Sequence, residues 1–156
     1  AHAARLVLYA RQWLPETADA EDAVQAGFVR FWRSKARPAA ADLPLLFTAV
    51  RTAALDLAKA GRRLRAREQR AAADGQNTWW DADTVAERER AAAVQRALES
   101  LPGDQREAVM LRIWGGLSFA EAARTLGANI NTVASRYRAA LAALRKHLPE
   151  TCHEAD

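Results

Sequence analysis

The chain has 156 residues, half of them apolar, a formal charge of +4 and a single cysteine, Cys152. Alanine supplies much of the apolar half, so the length divides into one or two modest cores, and one cysteine excludes an internal disulfide. No stretch approaches the roughly 20 apolar residues that span a bilayer, and no signal peptide is read at the start, so a cytoplasmic protein without membrane insertion is expected.

Glycine and proline are sparse and β-branched runs are short, which predicts an all-α fold. Residues 2–14 place Leu6, Ala10 and Trp13 on one side of a helix, with Arg5 and Arg11 away from it, and Pro15 stops the pattern. A second helix is predicted from near Ala18. Asp19, Glu21 and Asp22 fall in its first turns, where the helix dipole favours negative charge. Ala20, Val24, Phe28 and Phe31 form its core face with Trp32 beside them, while Asp19, Asp22, Gln25 and Arg30 face away. Ser34 to Ala41 reads as a loop containing Pro38. Asp42 caps a third helix with Pro44 in its first turn, and Leu46, Phe47, Val50, Ala54 and Leu57 supply the buried side.

That third helix changes character as it proceeds. Between Arg51 and Arg70 stand seven basic residues (Arg51, Lys59, Arg62, Arg63, Arg65, Arg67 and Arg70) against two acids, Asp56 and Glu68, a local charge of +5. By itself such a run reads as a solvated helix end. Beside a DNA-binding motif it reads as a phosphate-binding patch. Residues 71–83, AAADGQNTWWDAD, lack a sustained period and form a linker between a first domain, 1–70, and a second, 84–156. Trp79 and Trp80 have two readings: packing the linker onto one domain, or contacting a partner.

In the second domain Val94, Leu98 and Leu101 make a stripe that Pro102-Gly103 ends. Asp104 and Glu107 form a capping arrangement for a helix carrying Val109, Met110, Ile113 and Trp114, which Gly115-Gly116 closes. Ser118 and Glu121 then make a capping box for a short helix with Phe119, Ala122, Ala123 and Leu126 on one side. Gly127 is suited to a left-handed helix end and Asn129 caps the next start. From there Ile130, Val133, Tyr137, Leu141, Leu144 and Leu148 recur at three- and four-residue steps. Short helix, glycine corner and longer helix make a helix-turn-helix, whose second helix enters the major groove by its beginning. Asn131, Thr132, Ser135, Arg136 and Arg138 are read as the polar face there, off the apolar stripe, suited to base edges and phosphates.

The chain carries no P-loop, nucleophile elbow or paired-carboxylate site, so neither an enzyme nor a small-molecule substrate is expected. His147, Cys152 and His153 lack a tetrahedral set, so no metal and no cofactor is expected. The tail beyond Pro149 reads as frayed.

The chain resembles the extracytoplasmic-function (ECF) sigma factors of bacterial RNA polymerase, in the sigma-70 superfamily. Asp19-Ala-Glu-Asp-Ala-Val-Gln25 with Phe28 and Phe31-Trp32 is similar to the polymerase-clamp-binding helix of region two. Leu46-Phe47-Thr48 through Ala54-Leu55-Asp56 and the basic run resemble its promoter-reading helix. Ala97-Leu98, Leu101-Pro102, Gln105-Arg106-Glu107, Gly116-Leu117-Ser118, Leu126-Gly127 and Thr132-Val133-Ala134-Ser135-Arg136 resemble region four.

The resemblance implies that Asp19, Asp22, Gln25, Phe28 and Trp32 bind the clamp helices of the largest polymerase subunit. It implies that Arg51, Lys59, Arg62, Arg63 and Arg65 act at the minus-ten element, one base of which flips into a pocket formed partly by the loop 34–41. It implies that Ser118, Asn131, Thr132, Ser135, Arg136 and Arg138 act at the minus-thirty-five element while the domain docks on the polymerase flap. An anti-sigma factor is an implied partner. The pattern departs from the family at Ala26-Gly27, where a larger polar pair is usual, at Thr52 for asparagine, and at Ala134 for a basic residue. Two alternatives stand beside this reading: a helix-turn-helix regulator that binds operators as a dimer, and a sigma mimic that binds only an anti-sigma factor. The acidic face at Asp19 and Asp22 argues against the first, and the basic third helix against the second.

Overall fold

A computed structural model describes residues 2–34, 39–68 and 78–148. Among the described residues the regular secondary structure is entirely helical, joined by turns and bends, with no strand. The chain divides into two compact units, Ala1–Asn77 and Thr78–Asp156.

In the first unit α1 (His2–Arg11), α2 (Thr17–Ser34) and α3 (Leu43–Glu68) pack against one another, with a single 3₁₀ turn at Ala40–Asp42 before α3. The Asp42 carboxylate accepts the Ala39 N–H at 3.0 Å and closes that turn. Leu6, Tyr9, Ala10, Val24, Phe31, Phe47 and Val50 are buried at the centre. Tyr9 meets Trp13 and Phe47 edge to face at 5.1 and 5.3 Å, pairings that add about 1 kcal/mol each beyond their burial. Two expectations fail here. Arg11, placed away from the core, is 2 % exposed, because its guanidinium turns back to donate to Thr17 Oγ1 at 2.9 Å across the α1–α2 corner. Leu57, placed in the core, is 39 % exposed; Ala53, Ala54 and Ala58 take the buried positions, so small side chains line that part of α3.

Gly27 explains one departure from the family pattern. A Cβ built there would lie 2.5 Å from Val50 Cγ2 and 2.9 Å from the Val50 backbone nitrogen. Helices α2 and α3 therefore approach more closely than any side chain at position 27 would allow. An Arg30–Asp56 ion pair at 3.0 Å bridges the same two helices at the surface.

In the second unit α4 (Val85–Glu99) starts on a capping box. Thr84 Oγ1 accepts the Glu87 N–H at 3.2 Å, and the Glu87 carboxylate accepts the Thr84 N–H at 2.9 Å. Helix α5 (Gly103–Val109) runs into a π-helical turn, Met110–Trp114, and then come α6 (Phe119–Leu126) and α7 (Ile130–His147). Helix α7 packs on α4, α5 and α6. Residues 78–83, read from sequence as linker, belong to this unit: the Trp79 backbone N–H donates to Gln95 Oε1 at 2.8 Å, and Trp80 packs on Trp114 at 5.3 Å. Residues 71–77 lie outside the described residues.

The predicted Asp104/Glu107 cap is absent. The residue before α5 is Pro102, which has no side chain to cap with, and its ring sets the backbone angle that leads into the helix. A second expectation fails at the π turn. Gly115 donates to the Met110 carbonyl at 2.8 Å, five residues back, and the extra residue rotates the neighbouring positions about the helix axis. Leu111 is buried and Ile113, placed on the apolar side of this helix, is 48 % exposed. Ile130, the first residue of α7, is also 45 % exposed.

Candidate nucleic-acid interface

The corner of the helix-turn-helix is built from local bonds. Ser118 Oγ accepts the Glu121 N–H at 3.2 Å, and Glu121 Oε2 accepts the Ser118 N–H at 2.7 Å. These bonds, the backbone one foremost, hold the Glu121 carboxyl below its ordinary range. Helix α6 ends at Gly127, whose φ of 60° and ψ of 35° are left-handed and strain any residue with a Cβ. Asn129 Oδ1 then accepts the Asn131 N–H at 2.8 Å and starts α7.

Two sides of α7 differ sharply. Val133, Ala140 and Leu144 are buried against the rest of the unit. Asn131, Thr132, Ser135 and Arg138 are exposed near the helix start. Arg136 departs from its expected place off the apolar stripe. It stands three residues after Val133 and four before Ala140, hence beside the buried stripe. Its Nε lies 3.1 Å from Asp104 Oδ2 on α5, and its side chain is 32 % exposed. Ser118 is exposed while its oxygen serves the cap, so its hydroxyl proton remains available to donate.

The sequence reading missed Arg112. Its Nη1 donates to the Leu117 carbonyl at 2.6 Å, and its guanidinium lies 4.5 Å from the Phe119 ring centroid, with Tyr137 edge to face on Phe119 at 5.4 Å. One side chain from the π turn thus touches Leu117 two residues before α6, Phe119 at the first position of α6, and Tyr137 on α7. The signal available was its place between two apolar runs, which says nothing of its partners.

The first unit presents two surfaces. On α2, Asp19, Asp22, Gln25 and Trp32 are exposed and Phe28 is half-buried. Trp32 is 60 % and Val29 48 % exposed; Asp22, Gln25, Val29 and Trp32 recur at three- and four-residue steps, so they share one stripe. Val29 was not anticipated. On α3, Lys59, Arg62, Arg63 and Arg65 are exposed and Arg51 is half-buried. The Arg30–Asp56 pair ties up one of the two acids counted against that charge. Of the loop assigned to a flipped base, residues 35–38 lie outside the described residues, as does Arg70 of the basic run.

Residues 1–64 match the family Sigma-70 region 2, and residues 91–144 match Sigma-70, region 4. The ECF RNA polymerase sigma factor SigK of Mycobacterium tuberculosis (strain H37Rv) is 30 % identical over 140 residues, spanning 86 % of this chain and 75 % of the relative. The chain belongs to the ECF sigma factors. SigK of Mycolicibacterium vanbaalenii is 32 % identical over 133 residues, 82 % of this sigma factor and 68 % of the relative. A solved structure of the sigma factor RpoE in complex with the anti-sigma factor NepR, from Bartonella quintana, superposes with a TM-score of 0.63 at 25 % identity, covering 90 % of this chain and 88 % of that one.

The region-two match of the sigma factor takes in α1, α2 and α3 as far as Leu64, and the region-four match takes in the whole helix-turn-helix. Trp79 and Trp80 lie between the two matches. Among the described residues, no helix is long and apolar enough to cross a membrane, and no group of three or more His, Cys, Asp or Glu residues is placed to hold a metal ion.

Proposed function

We propose that this sigma factor directs RNA polymerase to one class of promoter, with its two units dividing the work. The exposed stripe of Asp22, Gln25, Val29 and Trp32, with Asp19 and Phe28 beside it, binds the clamp helices of the core enzyme. Lys59, Arg62, Arg63 and Arg65, with Arg51 behind them, hold the backbone around the minus-ten element. Asn131, Thr132, Ser135 and Arg138 enter the major groove at the minus-thirty-five element, with Ser118 and Arg136 at its margin. The observation that carries this reading is the exposed polar start of α7, opposite a side on which Val133, Ala140 and Leu144 are buried, in a chain of this family.

Each unit alone contacts few phosphates and binds DNA weakly. Joined on one polymerase, the two give a useful total affinity. Since the solved relative is a sigma factor held by an anti-sigma factor, the same kind of protein is a natural partner for this chain. No catalytic step is assigned to it.

The test is run-off transcription by core polymerase supplemented with the purified chain on a promoter library. Transcripts from one promoter class are expected. Binding to DNA without binding to core would instead identify a conventional operator-binding regulator, and core binding without transcripts from any promoter would refute promoter selection.

A further inference from the structure

Arg136 stands at the edge of the face assigned to DNA and is already engaged. Its Nε lies 3.1 Å from Asp104 Oδ2, which ties α7 to the first turn of α5. A guanidinium is a planar fork with five N–H donors. With Nε committed to the carboxylate, the Nη1–Nη2 edge is the one left for a partner, and the side chain as a whole is 32 % exposed. Asp104 also accepts the Gln105 N–H, through Oδ1 at 2.8 Å, so the carboxylate itself is held at both oxygens.

We propose that Asp104 is a positioning residue: it locks the Arg136 guanidinium so that its Nη1–Nη2 edge meets a backbone phosphate at the margin of the minus-thirty-five element. The proposal rests on the placement of α7 in the major groove. A phosphate is favoured over a base edge because of where Arg136 sits. Asn131, Ser135 and Arg138 share the side of α7 opposite the core, which faces the groove floor, whereas Arg136 is beside the buried stripe and faces the groove wall, where the phosphates are. Two parallel N–H donors match two oxygens of one phosphate. Restraining a long side chain before binding removes that ordering cost from the binding step.

The ion pair has no net charge, so it adds little to long-range attraction. The consequence opposes simple electrostatics: removing the negative charge of Asp104 weakens DNA binding. The experiment measures the affinity of holoenzyme, formed from core polymerase and the full chain, for duplex DNA carrying a minus-thirty-five element selected by that holoenzyme from a random library. Asp104→Asn is expected to weaken binding roughly tenfold when Arg136 is present and to change nothing in an Arg136→Gln background. Asp104→Glu, which keeps the carboxylate, is expected to recover most of the loss, and it remains informative if Asp104→Asn folds poorly.

An equal loss in both backgrounds, or no loss in either, overturns the proposal. Tighter binding by Asp104→Asn overturns it too, because Asp104 would then simply repel phosphate. Asn131→Ala and Arg138→Ala are measured alongside. If neither alters dependence on the minus-thirty-five sequence, the groove placement fails and takes the proposal with it. If they do and the Asp104–Arg136 pair shows no coupling, only the role of Asp104 falls.

Discussion

The guanidinium carbon of Arg112 lies 4.5 Å from the Phe119 ring centroid and 5.9 Å from that of Tyr137, while its Nη1 donates to the Leu117 carbonyl. Stacking and the hydrogen bond together hold α6 and α7 at one angle. Arg112→Ala should destabilise the fold by about 2 kcal/mol, from one cation–π contact and one lost hydrogen bond to a charged donor. Arg112→Lys keeps the charge but not the planar stack and should recover at most half of that. Urea unfolding tracked by circular dichroism measures both; an unchanged midpoint for the alanine variant would refute the clamp.

Gly27 sets two opposing effects against each other. Replacing it with alanine gains roughly 1 kcal/mol of helix propensity. Against this, the new Cβ would sit 2.5 Å from Val50 Cγ2 and 2.9 Å from Val50 backbone atoms, and overpacking of that kind costs about 1–3 kcal/mol. Backbone atoms yield less readily than a side-chain tip, so the clash should win and Gly27→Ala should lower the melting temperature. Adding Val50→Ala removes only the Cγ2 contact and should restore part of the loss at most. A Gly27→Ala chain that melts higher than the parent would show that α2 and α3 can separate freely.

The two capping acids predict a response to acid. Glu87 and Glu121 are each held below the ordinary carboxylate value of 4.5, chiefly by backbone N–H groups at Thr84 and Ser118. For a depressed carboxylate, the stabilisation is fully present above the unfolded-state pKa and is lost as pH falls through the folded-state value. Helix stability should therefore be flat near neutrality and decline below about pH 4.5, toward the depressed folded-state values. Glu121→Gln should flatten part of that decline, and the double variant with Glu87→Gln should flatten more. Melting temperatures measured from pH 7 to pH 3 decide it, with an unaltered acid limb in the double variant as the contrary result.

Trp32 is 60 % exposed and Asp22 is exposed on the same stripe, so neither is needed to hold the fold. Trp32→Ala and Asp22→Ala should each leave the melting temperature within about 2 °C while weakening core polymerase binding on the order of tenfold. Titration of labelled core enzyme is the measurement. Retained affinity in both variants would remove the clamp from this face.

Arg62 and Arg63 are exposed on the second half of α3. Changing both to alanine should weaken promoter binding and reduce the slope of log affinity against log salt by roughly 1–2 units. A weakened complex with an unchanged slope would mean that these side chains act on something other than phosphate.

How legible a feature was in the sequence depended on how far away its partner lay. The Ser118–Glu121 box, the left-handed Gly127 and the Asn129 cap all close within three residues, and each was readable in full. The exposed start of α7 was readable from its period. Arg11 was misread because a long polar side chain can fold back into a corner that the helical wheel places in solvent. Ile113 was misread because residues 107–111 are all buried, so the apolar pattern there singles out no one face.

Local chemistry thus determined the helices and most of their ends and faces, because caps and periodicity act over one or two turns; the Asp104/Glu107 cap, which Pro102 displaced, is an exception. Tertiary packing alone decided that Asp104 would meet Arg136, that Gly27 would lie against Val50 and that Trp80 would rest on Trp114. Those partners are more than twenty residues apart, and whether two such side chains meet depends on the angle and separation of whole helices. That geometry is set by every contact between the helices at once, so no single stretch of sequence carries it.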